Sequence, residues 1–287
     1  MKLNESQLKE LCALAKKAAL SAGEIIRNAD RTQLEVERKE GGSNLASQVV
    51  TEIDRKAQAA VLDILTPTLE QFDLGLLAEE SSDDGSRFIK DYFWCIDPLD
   101  GTLAFSRDEE GYSVSIALIS KDGTSIIGVV YNPKDDILYQ AIKGLGALKN
   151  DHSFEIESYE KNLTLLYDQS FLKIQNYDEE IEMLENYAKE QGLKGLLHFP
   201  LGGAVMNAIT TIEKAPALYY KHPKRELGGG SIWDFAASSV IHSEAGGQNS
   251  NYHGNPLDLN RSDSSFMNHE GVSYFAGDLP HPLHKQK

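Results

Sequence analysis

Cysteine is scarce in this sequence, which contains only Cys12 and Cys95 among its 287 residues. Two cysteines cannot provide the disulfide framework of small secreted domains, and their spacing does not match a CxxC metal site. Long hydrophobic runs are missing as well. Lysines interrupt the apolar residues near the N-terminus, so this segment is predicted to be neither a signal peptide nor a membrane span. We therefore expect a cytoplasmic protein without a membrane partner.

Several common enzyme motifs are also absent. The sequence contains no Walker motif and no GxSxG nucleophile motif, and Gly144 with Gly146 is too short a signal for a dinucleotide-binding fingerprint. The histidines are scattered, and His281 and His284 lie in a proline-containing tail where we expect them to be solvated. These enzyme classes therefore receive no support from the sequence.

Positive charge is in short supply, because 28 Lys and Arg residues stand against 44 Asp and Glu residues, for a formal net charge of −16. Such a protein repels a polyanionic duplex unless a local basic stripe overcomes the repulsion, and no such stripe is visible. We expect no nucleic-acid polymer as a partner. An acidic protein that acts on anionic phosphates needs a local reversal of sign, which clustered carboxylates provide by recruiting divalent cations.

Apolar spacing predicts two helices near the N-terminus. Apolar residues recur at three- and four-residue steps over residues 5–28, and Asn4 with Gln7 resembles a cap for that helix. The polar stretch 28–48 is interpreted as a mobile loop. A second helical pattern begins at Val50 and is expected to stop at Pro67.

The rest of the chain alternates between strand and helix patterns. Strand-like runs cover residues 92–96, 112–119 and 124–131, and the SKDG segment between the last two suits a hairpin. In the C-terminal half, strand candidates at 163–167, 217–220 and 272–275 alternate with helix candidates at 179–192, 204–214 and 233–245. This order suggests an α/β layer after an α+β layer. We predict two joined subdomains, residues 1–150 and 151–287, with a cleft between them.

The segment IDPLDGT, residues 96–102, is the first candidate for chemistry. Asp97 and Asp100 follow an apolar strand, and buried carboxylates at such a position are tolerated mainly where cations bind. Gly101 permits a close backbone approach, and Thr102 offers a hydroxyl and a helix start whose amides face an anion. The alternative is an ordinary acidic turn, since Asp, Pro and Gly are common turn formers.

Further acidic residues weigh against the ordinary turn. Glu79 and Glu80 follow the apolar run LGLLA, and Asp54 lies at the head of the second predicted helix. Asp234 begins the helix of the segment SIWDFAASSVIHSEAGG. Each acid alone is a weak signal, because a helix dipole already favours an acid in the first turn. Together they predict a divalent metal site.

These motifs resemble those of the inositol monophosphatase superfamily. The matching segments are DPLDGT at 97–102, EES at 79–81, VTxxD at 50–54, and WDxAA followed by EAGG at 233–247. The superfamily also contains 3′(2′),5′-bisphosphate nucleotidases and, more distantly, fructose-1,6-bisphosphatases. The resemblance covers nearly the whole chain. It implies an α+β fold, a layered αβαβα sandwich of the sugar-phosphatase type.

The resemblance also implies roles for individual residues. Two or three Mg²⁺ ions would be held by Glu79, Asp97, the Leu99 carbonyl, Asp100 and Asp234, with Glu80 outside this ligand set. The catalytic residues would be Asp54, Thr102 and Glu79, which orient and activate the attacking water. Substrate-binding positions would be Gly101, Thr102, Gly203, Lys221 and Asp234. Lithium inhibition is implied by the resemblance alone.

The substrate is the least determined part of this interpretation. The expected substrate is a small phosphate monoester, with an inositol monophosphate first and adenosine 3′,5′-bisphosphate as the alternative. Lys221, Lys224 and Arg225 before the WD motif suit a second phosphate, although they also fit a solvated loop. Leu103 stands where many bisphosphate nucleotidases carry a lysine, which argues against that alternative. A homodimer and a catalytically silent, metal-binding homologue both stay open.

Overall fold

The structure is a computed structural model that describes residues 2–29, 36–38, 49–157 and 160–284. The helices are α1 (Glu5–Arg27), α2 (Glu52–Gln71), α3 (Thr102–Ser106), α4 (Tyr177–Glu190), α5 (Ala204–Glu213) and α6 (Ile232–Glu244). The strands are β1 (Val36–Arg38), β2 (Val49–Thr51), β3 (Gly75–Ala78), β4 (Tyr92–Asp100), β5 (Ser113–Ser120), β6 (Ser125–Asn132), β7 (Ile137–Ile142), β8 (Ala147–Lys149), β9 (His152–Ser153), β10 (Leu163–Tyr167), β11 (Leu196–Pro200), β12 (Ala217–Lys221), β13 (Gln248–Ser250) and β14 (Val272–Ala276). None of the helices within these ranges is long and apolar enough to cross a bilayer.

Five layers make up the fold. Helices α1 and α2 pack against each other and against one face of a seven-stranded sheet. Helices α5 and α6 lie between that sheet and a five-stranded sheet, where they share a buried apolar cluster with both. Helix α4 covers the outer face of the five-stranded sheet. This αβαβα arrangement confirms the predicted fold.

The seven-stranded sheet has the order β3-β4-β5-β6-β7-β8-β9. Strands β3 and β4 are parallel, and the remaining neighbours are antiparallel. The sheet is buried on both faces, so its central strands read as nearly continuous apolar runs rather than alternating ones. The predicted hairpin between β5 and β6 is confirmed.

The five-stranded sheet has the order β11-β10-β12-β14-β13. Strand β10 is parallel to both β11 and β12, while β14 is antiparallel to its two neighbours. Because β10 and β12 run side by side in the same direction, the residues that follow them meet at one edge of the sheet.

The first predicted helix is confirmed, and so is its cap. The Asn4 side chain accepts the Gln7 amide at 3.0 Å, while the Gln7 side chain accepts the Asn4 amide at 2.9 Å. The predicted stop at Pro67 is wrong, since α2 continues to Gln71. Pro67 and Asp63 are both exposed on the same helix face, so water can satisfy the carbonyl that proline leaves unbonded.

Several strands were not anticipated from the sequence. The region 137–153 forms β7, β8 and β9, and β11 and β13 lie at the two edges of the smaller sheet. Most of the stretch 28–48, interpreted as a loop, lies outside the described residues. The prediction is wrong for residues 36–38, because they pair with β2 as strand β1.

The prediction of solvated C-terminal histidines is also wrong. The side chain of His281 is buried, and its Nε2 atom lies 3.1 Å from the Ser273 hydroxyl on β14. The His284 ring stacks on His281 with ring centroids 3.8 Å apart. The tail packs against the five-stranded sheet, because the apolar side chains of Leu279 and Leu283 join the cluster on its outer face.

Candidate active site

The DPLDGT segment occupies the end of β4. Asp97 is 1% exposed and Asp100 is 9% exposed, so both carboxylates are buried. The pairing of β4 with β5 is irregular between these two residues. This irregularity allows both carboxylates to lie on the same side of the strand. The Asp97 carboxylate accepts the Leu99 amide at 3.0 Å. Gly101 has φ +80°, a conformation that favours glycine and lets the chain turn directly into α3.

Glu79 lies beside Asp97 at the end of the neighbouring strand, although its carboxylate is not among those that lie within 4.8 Å of one another. Strands β3 and β4 are parallel with Ala78 opposite Ile96, so the next residues along the two strands are Glu79 and Asp97. The Glu79 amide donates to the Ile96 carbonyl at 3.1 Å, which extends the ladder by one step. The register of a parallel pair therefore brings together two acids that lie 18 positions apart in the sequence.

Asp234 comes from the central helical layer. It lies in the first turn of α6, where its carboxylate accepts the Ser231 amide at 2.7 Å as part of a capping box. Carboxylate oxygens of Asp97, Asp100 and Asp234 all lie within 4.8 Å of one another. Three acids predicted as metal ligands thus converge from β4 and α6.

Burial and mutual repulsion make these acids hard to ionise. The pKa of Asp97 is raised well above its usual value by burial and then by the charges of Glu79, Asp234 and Asp100. Burial and Asp234 likewise raise the pKa of Asp100 well above its usual value. A divalent cation relieves both costs, and hard carboxylate oxygens are the ligands that Mg²⁺ prefers. The donor set therefore fits a divalent metal.

Asp100 also joins the two sheets through α5. Its two carboxylate oxygens accept the amides of Ala204 at 3.2 Å and Val205 at 2.8 Å. A Cβ atom on Gly203 would lie only 2.2 Å from the nearer of these oxygens. Glycine at this position allows the start of α5 to approach the acidic cluster.

Asp54 and Thr102 flank the cluster. Asp54 is 3% exposed in the first turn of α2. One turn later, the Gln58 side chain accepts the Glu80 amide at 2.9 Å and donates to the Ser81 hydroxyl at 2.8 Å. The same face of α2 therefore carries Asp54 toward the turn that contains Glu79.

The Thr102 hydroxyl donates to the Leu99 carbonyl at 3.0 Å. This contact leaves the second lone pair of that carbonyl for another partner. The joint action of Asp54 and Thr102 on a water molecule stays a prediction, as does ligation by the Leu99 carbonyl.

Lys221 lies at the end of β12, and its ammonium group forms an ion pair with Asp168 at 2.7 Å. The charge of Lys221 lowers the pKa of Asp100, so the ammonium lies near the acidic cluster. Asp168 is a site residue that the sequence analysis missed. It directly follows the apolar run of β10, which is the same signal that identified Glu79 and Asp97.

Comparisons with known proteins identify the family to which this chain is similar. The model of the inositol monophosphatase family matches residues 7–274. An inositol-1-monophosphatase of Synechocystis sp. is 33% identical over 256 residues, which cover 88% of this chain and 83% of that protein. The Nus factor SuhB of Escherichia coli is 35% identical over 140 residues, 48% of this chain and 49% of that protein.

A solved structure is similar in fold. The inositol monophosphatase from Anabaena superposes with a TM-score of 0.67 at 24% identity, over 94% of this chain and 92% of that one. This structural similarity supports the layered architecture. The matches to the family model and to the Synechocystis protein support a phosphatase hydrolase. The chain belongs to the inositol monophosphatase family.

Proposed function

We propose that this protein is a magnesium-dependent phosphomonoesterase that hydrolyses a small phosphate monoester with a metal-activated water molecule. The observation that carries the proposal is the convergence of Asp97, Asp100 and Asp234 within 4.8 Å in a member of this family. Because buried carboxylates repel one another, such a cluster is costly unless cations occupy it.

The metal ligands in this proposal are Glu79, Asp97, the Leu99 carbonyl, Asp100 and Asp234, which together would hold two or three ions. Magnesium bound there would neutralise the charge of the phosphate, lower the pKa of a water molecule and stabilise the leaving oxygen. Asp97 is the ligand best placed to be shared, because both Glu79 and Asp234 affect its pKa.

Other residues act on the water and the substrate. Asp54 and Thr102 orient the attacking water and take or relay its proton, while Glu79 helps to position that water. The backbone amides of Gly101 and Thr102 donate to the phosphate. Gly203, Lys221 and Asp234 line the side from which the alcohol leaves. The proposal includes lithium sensitivity, as the resemblance implies, and a cytoplasmic location, as the scarcity of cysteine suggests.

An inositol monophosphate is the first candidate substrate, by similarity to relatives such as the Synechocystis protein. Adenosine 3′,5′-bisphosphate is the second candidate, which the Lys221 ammonium favours because it adds a positive charge beside the cluster. A catalytically silent homologue is the third, and one relative is named a Nus factor rather than an enzyme.

Release of inorganic phosphate distinguishes these candidates. The purified protein is assayed with inositol 1-phosphate, adenosine 3′,5′-bisphosphate and fructose 1,6-bisphosphate, each with Mg²⁺ and with a chelator. We expect Mg²⁺-dependent release from at least one of them. No release from any substrate at any Mg²⁺ concentration would contradict an enzymatic function and favour the silent homologue.

A further inference from the structure

Two cationic side chains, those of Lys221 and Lys224, lie near Asp168. Strands β10 and β12 are parallel neighbours with Leu166 opposite Tyr219, so Asp168 and Lys221 extend from the same edge of the sheet. Their side chains are only 14% and 16% exposed, respectively, and their charged groups are 2.7 Å apart. An ammonium group has three N–H donors, and Asp168 takes one of them. The ion pair therefore fixes a Lys221 ammonium that can still donate to a ligand.

Lys224 lies beside the run of glycines that precedes α6. Its Nζ atom is 3.0 Å from the position that a Cβ on Gly229 would occupy. A Cβ on the next residue, Gly230, would lie 3.2 Å from a carboxylate oxygen of Asp234. The Lys224 side chain thus packs against the glycine run that leads to Asp234. Asp168 lies near both lysines, and Glu226 is a further acid near Lys224.

The Tyr219 hydroxyl adds a third donor. Tyr219 is 1% exposed, and its hydroxyl has no hydrogen-bond partner among the described residues. Burial raises its pKa, as do the nearby charges of Asp168, Asp100 and Asp234, which places the hydroxyl beside the same cluster. A buried hydroxyl without a protein partner points to a ligand or an ordered water molecule.

We propose that Lys221, Lys224 and Tyr219 bind a second anionic group of the substrate, in addition to the phosphate that is cleaved. This inference rests on the proposed phosphatase function and, among its candidate substrates, favours a phosphomonoester with a second phosphate or a carboxylate over an inositol monophosphate. Ammonium and phenol donors match the acceptor oxygens of an anion, and charge-assisted hydrogen bonds of this kind are strong. A neutral polyol does not require two cations, one of them mostly buried at a desolvation cost.

Matched substrate pairs test the inference. The pairs are adenosine 3′-phosphate with adenosine 3′,5′-bisphosphate, fructose 1-phosphate with fructose 1,6-bisphosphate, and glycerol 2-phosphate with 2-phosphoglycerate. We expect kcat/KM to be higher by about tenfold or more for the doubly anionic member of at least one pair. The pair that shows the preference identifies a phosphate or a carboxylate as the second group. A wild-type protein that prefers the singly anionic member of every pair would overturn the inference.

Substitutions test which side chains bind the second anionic group of the substrate. Lys224→Met and Lys221→Met are each expected to lower the preference by about tenfold, because kcat/KM falls further for the doubly anionic member than for the singly anionic one. Arg225→Met is the control, because this neighbouring cation is exposed. Lys221→Met leaves Asp168 buried without its partner, so the double variant Lys221→Met with Asp168→Asn guards against misfolding. An unchanged preference in the double variant and in Lys224→Met would overturn the inference.

Equilibrium binding separates this inference from the proposed function. Calorimetry measures the affinity for each substrate pair in the presence of Ca²⁺, a divalent cation that takes the same oxygen ligands. If the protein releases no phosphate yet binds the doubly anionic member more tightly, and Lys224→Met abolishes that difference, the proposed function fails and the anion site stands. Equal affinities within every pair would contradict the anion site whatever the activity.

Discussion

The side chain of Asp100 accepts the backbone amide of Val205 at 2.8 Å, so one carboxylate of the acidic cluster also caps helix α5. Asp100 belongs to the seven-stranded sheet, whereas α5 packs against the five-stranded sheet. The site therefore depends on how the two sheets are joined. Cation binding and the packing of α5 act on the same side chain.

Replacing Asp97 with asparagine should stabilise the metal-free protein. The raised pKa of Asp97 shows that its negative charge is unfavourable among the neighbouring acids. An asparagine oxygen can still accept the Leu99 amide, so the local hydrogen bond survives. We expect Tm in a chelator to rise by about 2 °C or more, and the increase in Tm caused by Mg²⁺ to disappear. Differential scanning calorimetry measures both.

Asp63→Asn is the matched control for this comparison. Asp63 is an exposed acid on α2, so its replacement should leave both Tm and the response to Mg²⁺ unchanged. An Asp97→Asn protein that gained as much stability from Mg²⁺ as the wild type would show that Asp97 does not hold the cation.

Two substitutions of Asp100 separate its role in capping α5 from its role in metal binding. Asparagine keeps an oxygen that can accept an α5 amide, whereas alanine removes every acceptor. We expect both variants to lose the response of Tm to Mg²⁺. In a chelator, Asp100→Ala should be less stable than Asp100→Asn by about 1 kcal/mol, the usual value of a helix cap. Equal stabilities in urea unfolding would mean that the contact with Val205 contributes nothing.

Gly203 is predicted to be essential to the geometry of the cluster. A Cβ at this position would lie 2.2 Å from the Asp100 carboxylate, so alanine must displace either that side chain or the start of α5. We expect Gly203→Ala to lower the free energy of unfolding by about 1–3 kcal/mol, the usual cost of overpacking, and to weaken the response of Tm to Mg²⁺.

Gly144→Ala serves as the comparison for Gly203→Ala. Gly144 has φ +82° and no heavy atom within 4 Å of an added Cβ, so alanine there affects only the backbone. It should cost about 1 kcal/mol and leave the response to Mg²⁺ intact. If both variants responded to Mg²⁺ like the wild type, the close approach at Gly203 would have no bearing on the site.

Two buried histidines should make the fold sensitive to acid. Burial lowers the pKa of His242 from 6.5 to about 3, and it lowers that of His281 to about 3 as well. Both are neutral in the folded protein at pH 5, while unfolded chains take up protons below pH 6.5. The contribution of the two histidines to stability is therefore full above pH 6.5 and falls progressively toward pH 3, by on the order of 2 kcal/mol per histidine at pH 5. The raised pKa values of Asp97 and Asp100 act in the opposite direction.

The change in Tm between pH 7.5 and pH 5, compared between the wild type and His242→Gln, measures the loss due to His242. His242→Gln should lose less stability than the wild type between these two pH values, because one of the two titrating groups is gone. His152→Gln, a change at an exposed histidine, should behave like the wild type. If His242→Gln lost as much stability as the wild type between these pH values, groups other than His242 would cause the acid sensitivity.

Much of the fold could be predicted because its central elements have strong local patterns. The helix over 5–28 and the strand over 163–167 agree with the structure within a residue at each end. Strand β11 escaped prediction because it is an edge strand with exposed residues such as His198, which breaks the apolar run. The stop at Pro67 failed because the exposure of a helix face depends on tertiary packing, which local sequence does not show.

The acidic site could be predicted only in part. Asp97, Asp100 and Glu79 follow apolar strands, and this local signal marked them as ligands. The pair of Asp168 with Lys221 depends on β10 and β12 being parallel neighbours, and no local pattern reveals which strands lie side by side. The contact of Asp100 with Val205 joins residues 105 positions apart, so it also follows from the fold alone.

Phosphate release by the wild type and by Asp97→Asn, measured in parallel with and without Mg²⁺, tests the central claim most directly. The substrate is the one that the wild type hydrolyses fastest, and equal far-ultraviolet and near-ultraviolet circular dichroism confirms that both proteins are folded. The account predicts Mg²⁺-dependent release by the wild type and a loss of at least about a thousandfold in Asp97→Asn. Substantial Mg²⁺-dependent release by a folded Asp97→Asn protein would contradict it.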